Sequence, residues 1–256
     1  MNKIEVAVLT EAHESPAGMM MFLAKLTQRG HNIQSMNDLL SLYNSSIKSH
    51  SGAQNIAKLP HGTIKRFAPI TVAIVGASRR FLAQARTHQV GINYVSASLQ
   101  YSNYSGAADF VVPYALLGTC EEGLYLNTCE CAMEVYKTLA DAADNDTAGY
   151  VAPQGLRNIL IIQANHEAWM HFIRLRGCNR NTEETQYVTM RIWEELLKTA
   201  DGKEMFAWAG PDCMYGQCRE GKMCCGETLQ YARTSCPPGR IIAHKWPKLR
   251  GGTSDA

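Results

Sequence analysis

Side chains able to do chemistry recur along three stretches of this chain. On a helix running to Arg176, the residues Asn165, Trp169, Phe172 and Arg176 are spaced four, three and four apart and share one stripe. An amide and a guanidinium on an otherwise aromatic stripe are costly to bury without partners. Either Arg176 pairs with a carboxylate such as Glu184 at a subunit contact, or a bound molecule supplies the acceptor. Phe81, Ala85 and His88 fall on one face of an earlier helix, with Gln84 beside them. His88 reads as a core histidine satisfied at a helix end or as a ligand contact, and Gln84 as a reader of a ring edge or a partner of its neighbours. Between the two helices the pattern has period two: Val95, Ala97, Leu99 and Tyr101 face one way, and Ser96, Ser98 and Gln100 the other. That is a small polar surface on an apolar backing. A serine needs a base to act as a nucleophile, and none is evident beside Ser98, so hydrogen bonding is its expected role.

The cysteines are a separate signal. Of nine, Cys213, Cys218, Cys224, Cys225 and Cys236 crowd near the end, and Cys120, Cys129, Cys131 and Cys178 are scattered. The spacing Cys213-x4-Cys218-x5-Cys224-Cys225 is not the CxxC pairing of a zinc ribbon. Four thiolates in a Gly-rich loop suit zinc or an iron–sulfur cluster all the same; the alternative is a reduced, locally packed tail. Cys129-x-Cys131, within a helix, would point in divergent directions.

The elements that must position these groups follow from periodicity. Strands are expected over Ile4 to Leu9, Ile70 to Val75 (ended by Gly76) and Phe110 to Val112. Helices are expected from Ser15-Pro16 to Gly30, after an Asn37 cap, over Ala77 to His88, Cys120 to Ala143, Ala168 to Arg176 and Glu184 to Thr199. Ser45 to Gly62 reads as a loop, Asp144 to Gly149 as a turn, and the tail after Gly210 shows no periodicity. Ile159 to Ile162 is either a strand or the start of the following helix. With 46% hydrophobic and 19% charged residues and a formal charge of +2, the chain reads as a soluble globular protein with no strong field toward nucleic acid or membrane. No apolar run is long enough to span a bilayer, and Met1 to Thr10 lacks a signal pattern, so a cytoplasmic location is expected. There is no Gly-x-Ser-x-Gly elbow, P-loop or dinucleotide fingerprint.

Three collinear blocks resemble the flavin-dependent thymidylate synthases. In Pro60 to Gln89, His61, Ser78-Arg79, Gln84 and His88 match in order a family segment that ends in Arg-His-Arg; here that triplet is Thr87-His88-Gln89, followed after eight residues, one more than the family has, by Ser98. Ser96 to Ser105 resembles the end of the signature. Asn165 to Gln186, with its Asn, His171-Phe172, Leu175-Arg176 and Gln186, is the most specific block. Four family positions differ: Gln100 and Gly149 stand where the family has phosphate-binding arginines, Glu167 where it has another Arg, and Phe67 where it has a His. Arg79, Arg80, Arg86 and Arg174 are candidates to compensate, since a nucleotide phosphate calls for charge-assisted donors.

The resemblance implies an α/β (α+β) fold with a mainly antiparallel sheet and packed helices over residues 1–209, followed by a Cys/Gly-rich extension over 210–256. It implies methylation of dUMP to dTMP, with FAD as cofactor, NADPH and methylenetetrahydrofolate as co-substrates, and a homotetramer sharing its sites. Arg176 is the implied catalytic, ring-polarising residue; Gln84, Arg86, Ser96, Ser98 and Gln100 join it in substrate binding; Arg79, Thr87, His88, Gln89, Asn165 and His171 bind the cofactor. Two alternatives remain: a flavoenzyme acting on another pyrimidine nucleotide or moving another one-carbon unit, and a non-catalytic relative with a metal-binding tail.

Overall fold

The computed structural model describes residues 4–10, 15–29, 32–33, 35–49, 51–59, 62–67, 69–106, 109–216, 218–226 and 237–252. His61 and Cys236 lie outside the described residues. Four antiparallel strands, β1 (Glu5–Thr10), β2 (Pro69–Ser78), β3 (Ile92–Ser96) and β4 (Arg157–Asn165), form one sheet in the order β1-β2-β4-β3. The Ile159 to Ile162 run is therefore a strand, and the sheet is mixed with helices as the resemblance implied. Alternation explains its two faces: Ile70, Val72 and Ile74 on β2 and Leu160, Ile162 and Ala164 on β4 are buried under helices, while Val75, Val95 and Ile159 stand out on the other face.

Helix α8 (His166–Arg176) and helix α9 (Glu183–Lys198) cover the buried face. Trp169, Phe172, Val188, Ile192, Trp193 and Leu196 have no exposed surface and make the centre of the core. Nearly every turn of α9 has buried residues on several sides, as a central helix does. Helix α1 (Pro16–Arg29) is fastened to the same core because the Ser15 hydroxyl and the Ala17 amide both donate to Asp201. A second, smaller cluster lies to one side, where Cys129, Met133 and Tyr136 of α6 (Cys120–Ala142) meet Leu99, Phe110, Ala148 and Leu156.

Several expectations are corrected. Helix α2 (Met36–Lys48) is capped by Ser35, not Asn37: Ser35 and Asp38 form a reciprocal capping box. The supposed loop from Ser45 to Gly62 contains the end of α2, then α3 (Ala53–Lys58) and the start of α4 (Gly62–Lys65). Gly76 does not end β2; it takes φ 82° in a bulge, after which Ala77 and Ser78 rejoin β4 opposite Asn158 and Arg157. Phe110 to Val112 makes a single bridge, Phe110 to Leu156, in place of a strand. Asp144 to Gly149 holds the short helix α7 (Asn145–Gly149). Past α10 (Gly202–Phe206), the tail is not without pattern: α11 (Pro237–Lys245) and the turn after it bring Ile241 and Trp246 into the main core. No helix among the described residues is long and apolar enough to cross a membrane.

Candidate functional site

The site is set by where two helices leave the sheet. Helix α5 (Arg79–Ala85) starts at Ser78, the end of β2, and α8 starts after Asn165, the end of β4. In this antiparallel pair Ser78 lies opposite Arg157 and Pro69 opposite Asn165, so the helices start from opposite ends and their C-terminal ends meet. Each start is fixed by a cap. The Ser78 hydroxyl accepts from the Phe81 amide at 3.1 Å and donates to Glu184, whose other carboxylate oxygen takes the Ser78 amide at 2.7 Å. Burial pushes the Glu184 carboxyl upward, with the Ser78 bonds opposing it. The Asn165 side chain accepts from the Ala168 amide at 2.9 Å.

Where the helices converge, Arg176 is the hub. Its Nε donates to His88 Nε2 at 2.7 Å, Nη1 to Asn181 Oδ1 at 2.9 Å and Nη2 to the Thr87 hydroxyl at 2.5 Å. Asn181 in turn donates from Nδ2 to the carbonyls of Leu175 and Cys178, closing the end of α8. A guanidinium has five N–H donors; the three bonds leave two of them for another acceptor. Because His88 Nε2 accepts, its ring proton sits on Nδ1. Burial, then the nearby Arg176 and His171, bring His88 down to about 4, so the ring is neutral at pH 7. It packs edge-on against His171 at 5.6 Å and tilted on Phe172 at 5.1 Å. Tyr94 of β3 closes the side, donating to the Ala85 carbonyl at 2.8 Å, its hydroxyl raised to about 12 by burial.

Thr87, His88, His171 and Arg176 are thus brought together. Gln84 adjoins them, its Oε1 accepting from Thr185 at 2.7 Å and from Thr182 at 3.4 Å. Arg86 donates to Ser96. Arg79 is half-buried beside Tyr104 and Arg86, with no carboxylate bonded to its guanidinium among the described residues; burial lowers its pKa, with Tyr104 opposing and Arg86 adding to the fall. Gln89 and Asn165 line an adjoining open groove with Arg66, Asn93 and Gln163. Ser98 and Gln100 stand apart: the Ser98 hydroxyl accepts the amides of Gln100 and Tyr101 in a local turn, and Gln100 is exposed.

Three readings need correction. Asn165 and Arg176 do not wait on a ligand for all their partners: the Asn165 oxygen caps α8, and three of the five Arg176 N–H groups are bonded within the chain. Arg176 does not pair with Glu184, which Ser78 holds. The alternation over 95–101 is reversed at its start and then stops: Val95 and Tyr101 are 68% and 84% exposed, Ser96 lies on the covered side, and β3 ends there. Sequence reading missed Asn181, Tyr94, Thr182 and Thr185. The Asn-rich turn after Gly177 was the one available signal for Asn181. At the altered family positions, Glu167 pairs with Arg66 at 2.7 Å, Gly149 lies against Leu99, and Phe67 is exposed. Cys178, Cys213, Cys218 and Cys225 line one cleft, although among the described residues no three His, Cys, Asp or Glu side chains stand as a ready metal-holding group.

The family model described as thymidylate synthase complementing protein matches residues 8–200. The flavin-dependent thymidylate synthase of Geobacter sulfurreducens is 27% identical over 183 residues, covering 70% of this chain and 77% of that protein. Its counterpart from Thermococcus onnurineus is 27% identical over 205 residues, covering 75% and 77%. Among solved structures, thymidylate synthase X from Helicobacter pylori with FAD and dUMP aligns with a TM-score of 0.59 at 15% identity, covering 79% of this chain and 97% of that one. The UMP/dUMP methylase PolB from Streptomyces cacaoi, bound with 5-Br dUMP, aligns with a TM-score of 0.59 at 14% identity, covering 79% and 93%.

Proposed function

This chain belongs to the thymidylate synthase complementing protein family and is an enzyme of the flavin-dependent thymidylate synthase type, and on that premise we propose that it methylates dUMP to dTMP using FAD, methylenetetrahydrofolate and NADPH. The observation that supports this most is the Arg176 hub: a flat guanidinium held from three sides with two N–H donors left over. Those donors suit a carbonyl of a pyrimidine ring, which they would orient and polarise at no cost in reorganisation. Gln84 has its amide N–H groups for the same ring, since its oxygen is taken by Thr185 and Thr182.

The residues fit a flavin. His88 presents a neutral ring with its Nδ1 proton unused among the described residues, beside the rings of His171 and Phe172. Arg79, Thr87, His88, Gln89, Asn165 and His171 would hold FAD, which when reduced relays the one-carbon unit and supplies the hydride. Arg176, Gln84, Arg86, Ser96, Ser98 and Gln100 would hold the nucleotide. Besides its part in holding FAD, Arg79 would share with Arg86, beside it and likewise without a bonded carboxylate among the described residues, the phosphate charge that the family places on arginines replaced here by Gln100 and Gly149. A homotetramer is supported by the apolar side chains left on the open sheet face, Leu9, Val75, Val95 and Ile159, which a second copy would cover.

The test is the visible spectrum of the purified protein, with the chromophore released and weighed, followed by dUMP turnover with the product identified by mass. Bound FAD and a dTMP product are expected; a protein that neither holds nor takes up FAD overturns the reading. The altered positions Gln100, Gly149 and Glu167 favour one second reading, in which the same flavin site serves another pyrimidine nucleotide or a hydroxymethyl product. Product mass across UMP, dUMP and dCMP separates the two.

A further inference from the structure

The turn from Gly177 to Thr182 is gripped from two sides. On one side Asn181 bonds Arg176 and closes the end of α8. On the other, Gln186 of α9 donates from Nε2 to the Gly177 carbonyl at 2.8 Å and to Asn179 Oδ1 at 2.5 Å. Gly177 directly follows Arg176, where the bonding within α8 runs out. Lys245 of α11 completes this second side: its Nζ donates to Gln186 Oε1 at 2.9 Å and to Asn179 Oδ1. Gln186 is 3% exposed and Lys245 half-buried, so these bonds are made largely out of water. The core sets where Lys245 stands. Ile241, four residues earlier on the same face of α11, is wholly buried, and Trp246 is buried edge-on against Tyr187 of α9 at 5.3 Å. Helix α11 lies beyond residue 200, where the match to the family model ends.

We propose that Lys245 is a positioning residue for Arg176, supplied by the part of the chain outside the family match. An ammonium donates and never accepts. Set between two side-chain amides, it makes both turn their oxygens toward it. With its oxygen held by Lys245, Gln186 has its NH2 group to present to Gly177 and Asn179, which is the orientation that bonds the Gly177 carbonyl. A flipped Gln186 amide would set its oxygen against that carbonyl and against Asn179 Oδ1, and the turn would lose its hold on this side. Hydrogen bonds from a charged donor are roughly twice as strong as neutral ones, so Lys245 decides between the two orientations. Asn179 lies two residues before Asn181, whose oxygen holds Arg176 Nη1 at 2.9 Å. Through this turn Lys245 keeps the two remaining Arg176 N–H groups at one angle. The catalytic meaning of that angle rests on the reading of Arg176 as the group that polarises the nucleotide ring; the bracing of the turn does not.

The test uses the full chain with K245M, which keeps the length and loses the donors, and K245R, which keeps a cation that only donates. Backbone hydrogen exchange is followed by mass spectrometry without flavin or nucleotide. In the unaltered chain residues 177–182 are expected to be protected. K245M should raise exchange there about tenfold or more with α9 unchanged, and K245R should bring it back to within about threefold of the unaltered rate. Turnover of dUMP is then measured at equal FAD occupancy. K245M is expected to lower kcat about tenfold with KM little changed, and in an R176K background, where the fork is already lost, to cost less than about twofold more. Free exchange of 177–182 in the unaltered chain overturns the proposal without need of a variant that folds. Unchanged exchange in K245M overturns it too, as does equal loosening of α9, which marks a general structural role, or a full tenfold loss repeated on R176K. A chain that holds the turn as described yet does not turn over dUMP overturns the catalytic reading of Arg176 and leaves the bracing by Lys245 supported.

Discussion

The Arg176 hub and the turn at 97–105 are both drawn from the family blocks, yet they are built in opposite ways. At the hub, side chains from α5, α8 and the start of α9 bond one another over a core in which Trp169 and Phe172 are wholly buried. In the turn, Ser98 and Asn103 bond nearby backbone amides of the same segment, while Tyr101 and Gln100 face outward. The hub is organised before any ligand arrives. The turn is held from beneath, by Leu99 in the smaller core cluster and the Tyr104 amide donating to the Tyr136 hydroxyl at 3.3 Å, and leaves its outer side chains without such a network.

The sharpest break is to remove the support beneath the hub. Trp169→Ala deletes a side chain with no exposed surface whose Nε1 donates to the Ile70 carbonyl at 3.1 Å. It is expected to cost about 3–5 kcal/mol in denaturant unfolding, whereas Tyr101→Ala changes stability by less than about 0.5 kcal/mol.

Acid separates the regions next. His166 is fully buried, donates from Nε2 to the Met205 carbonyl at 2.8 Å, and is brought down to about 4 chiefly by burial. Its folded pKa is below the unfolded value, so the unfolded chain binds more protons between the two. The stability it contributes is full above about pH 6.5 and is lost as pH falls toward 4, on the order of 3 kcal/mol in all. His88 is shifted in the same direction. Hydrogen exchange at pH 7 and pH 5 should show α8 opening while 97–105, which has no histidine, is unchanged; equal protection of α8 at both values would count against this account.

Arg176→Lys keeps the charge but loses the fork. Turnover of dUMP is expected to fall about 100-fold with Tm nearly unchanged, measured at equal FAD occupancy. Arg79→Gln removes one of two adjacent cations, and a drop in kcat/KM of about tenfold, seen mostly in KM, is expected. Smallest is Ser98→Ala, which loses two local bonds and should change stability by about 0.5–1 kcal/mol and turnover by less than about threefold. A larger effect of Ser98→Ala than of Arg176→Lys would invert the comparison between hub and turn.

The sequence made much of the hub legible and little of the turn. Long periodic runs such as α6 and α9 survive in the fold because their burial is decided by period. Alternation names two faces without saying which is covered, and Val95 lies on the open one although its apolar side chain argues for the covered one. Ser45 to Gly62 looked like a loop by composition, yet the Ser46 hydroxyl bonds the Leu42 carbonyl at 2.7 Å, leaving the helix intact. The bulge at Gly76 is invisible to periodicity, although the Arg157 guanidinium that donates to its carbonyl at 2.7 Å is what holds it. His88 and Arg176 were found as separate residues; their direct bond joins positions 88 residues apart and has no signature in spacing.

The meeting of two helix ends at Arg176 gives the site a polarity. Carbonyl-rich C-terminal ends carry partial negative charge, which offsets much of the Arg176 cation, so the hub attracts an anion less than an unopposed guanidinium would. Under the proposed function, a molecule with one neutral, carbonyl-bearing end and one anionic end would therefore have a preferred way round, with its ring at Arg176 and its charge toward Arg79 and Arg86. Orientation is written into the directions in which α5 and α8 run, before any individual contact is made.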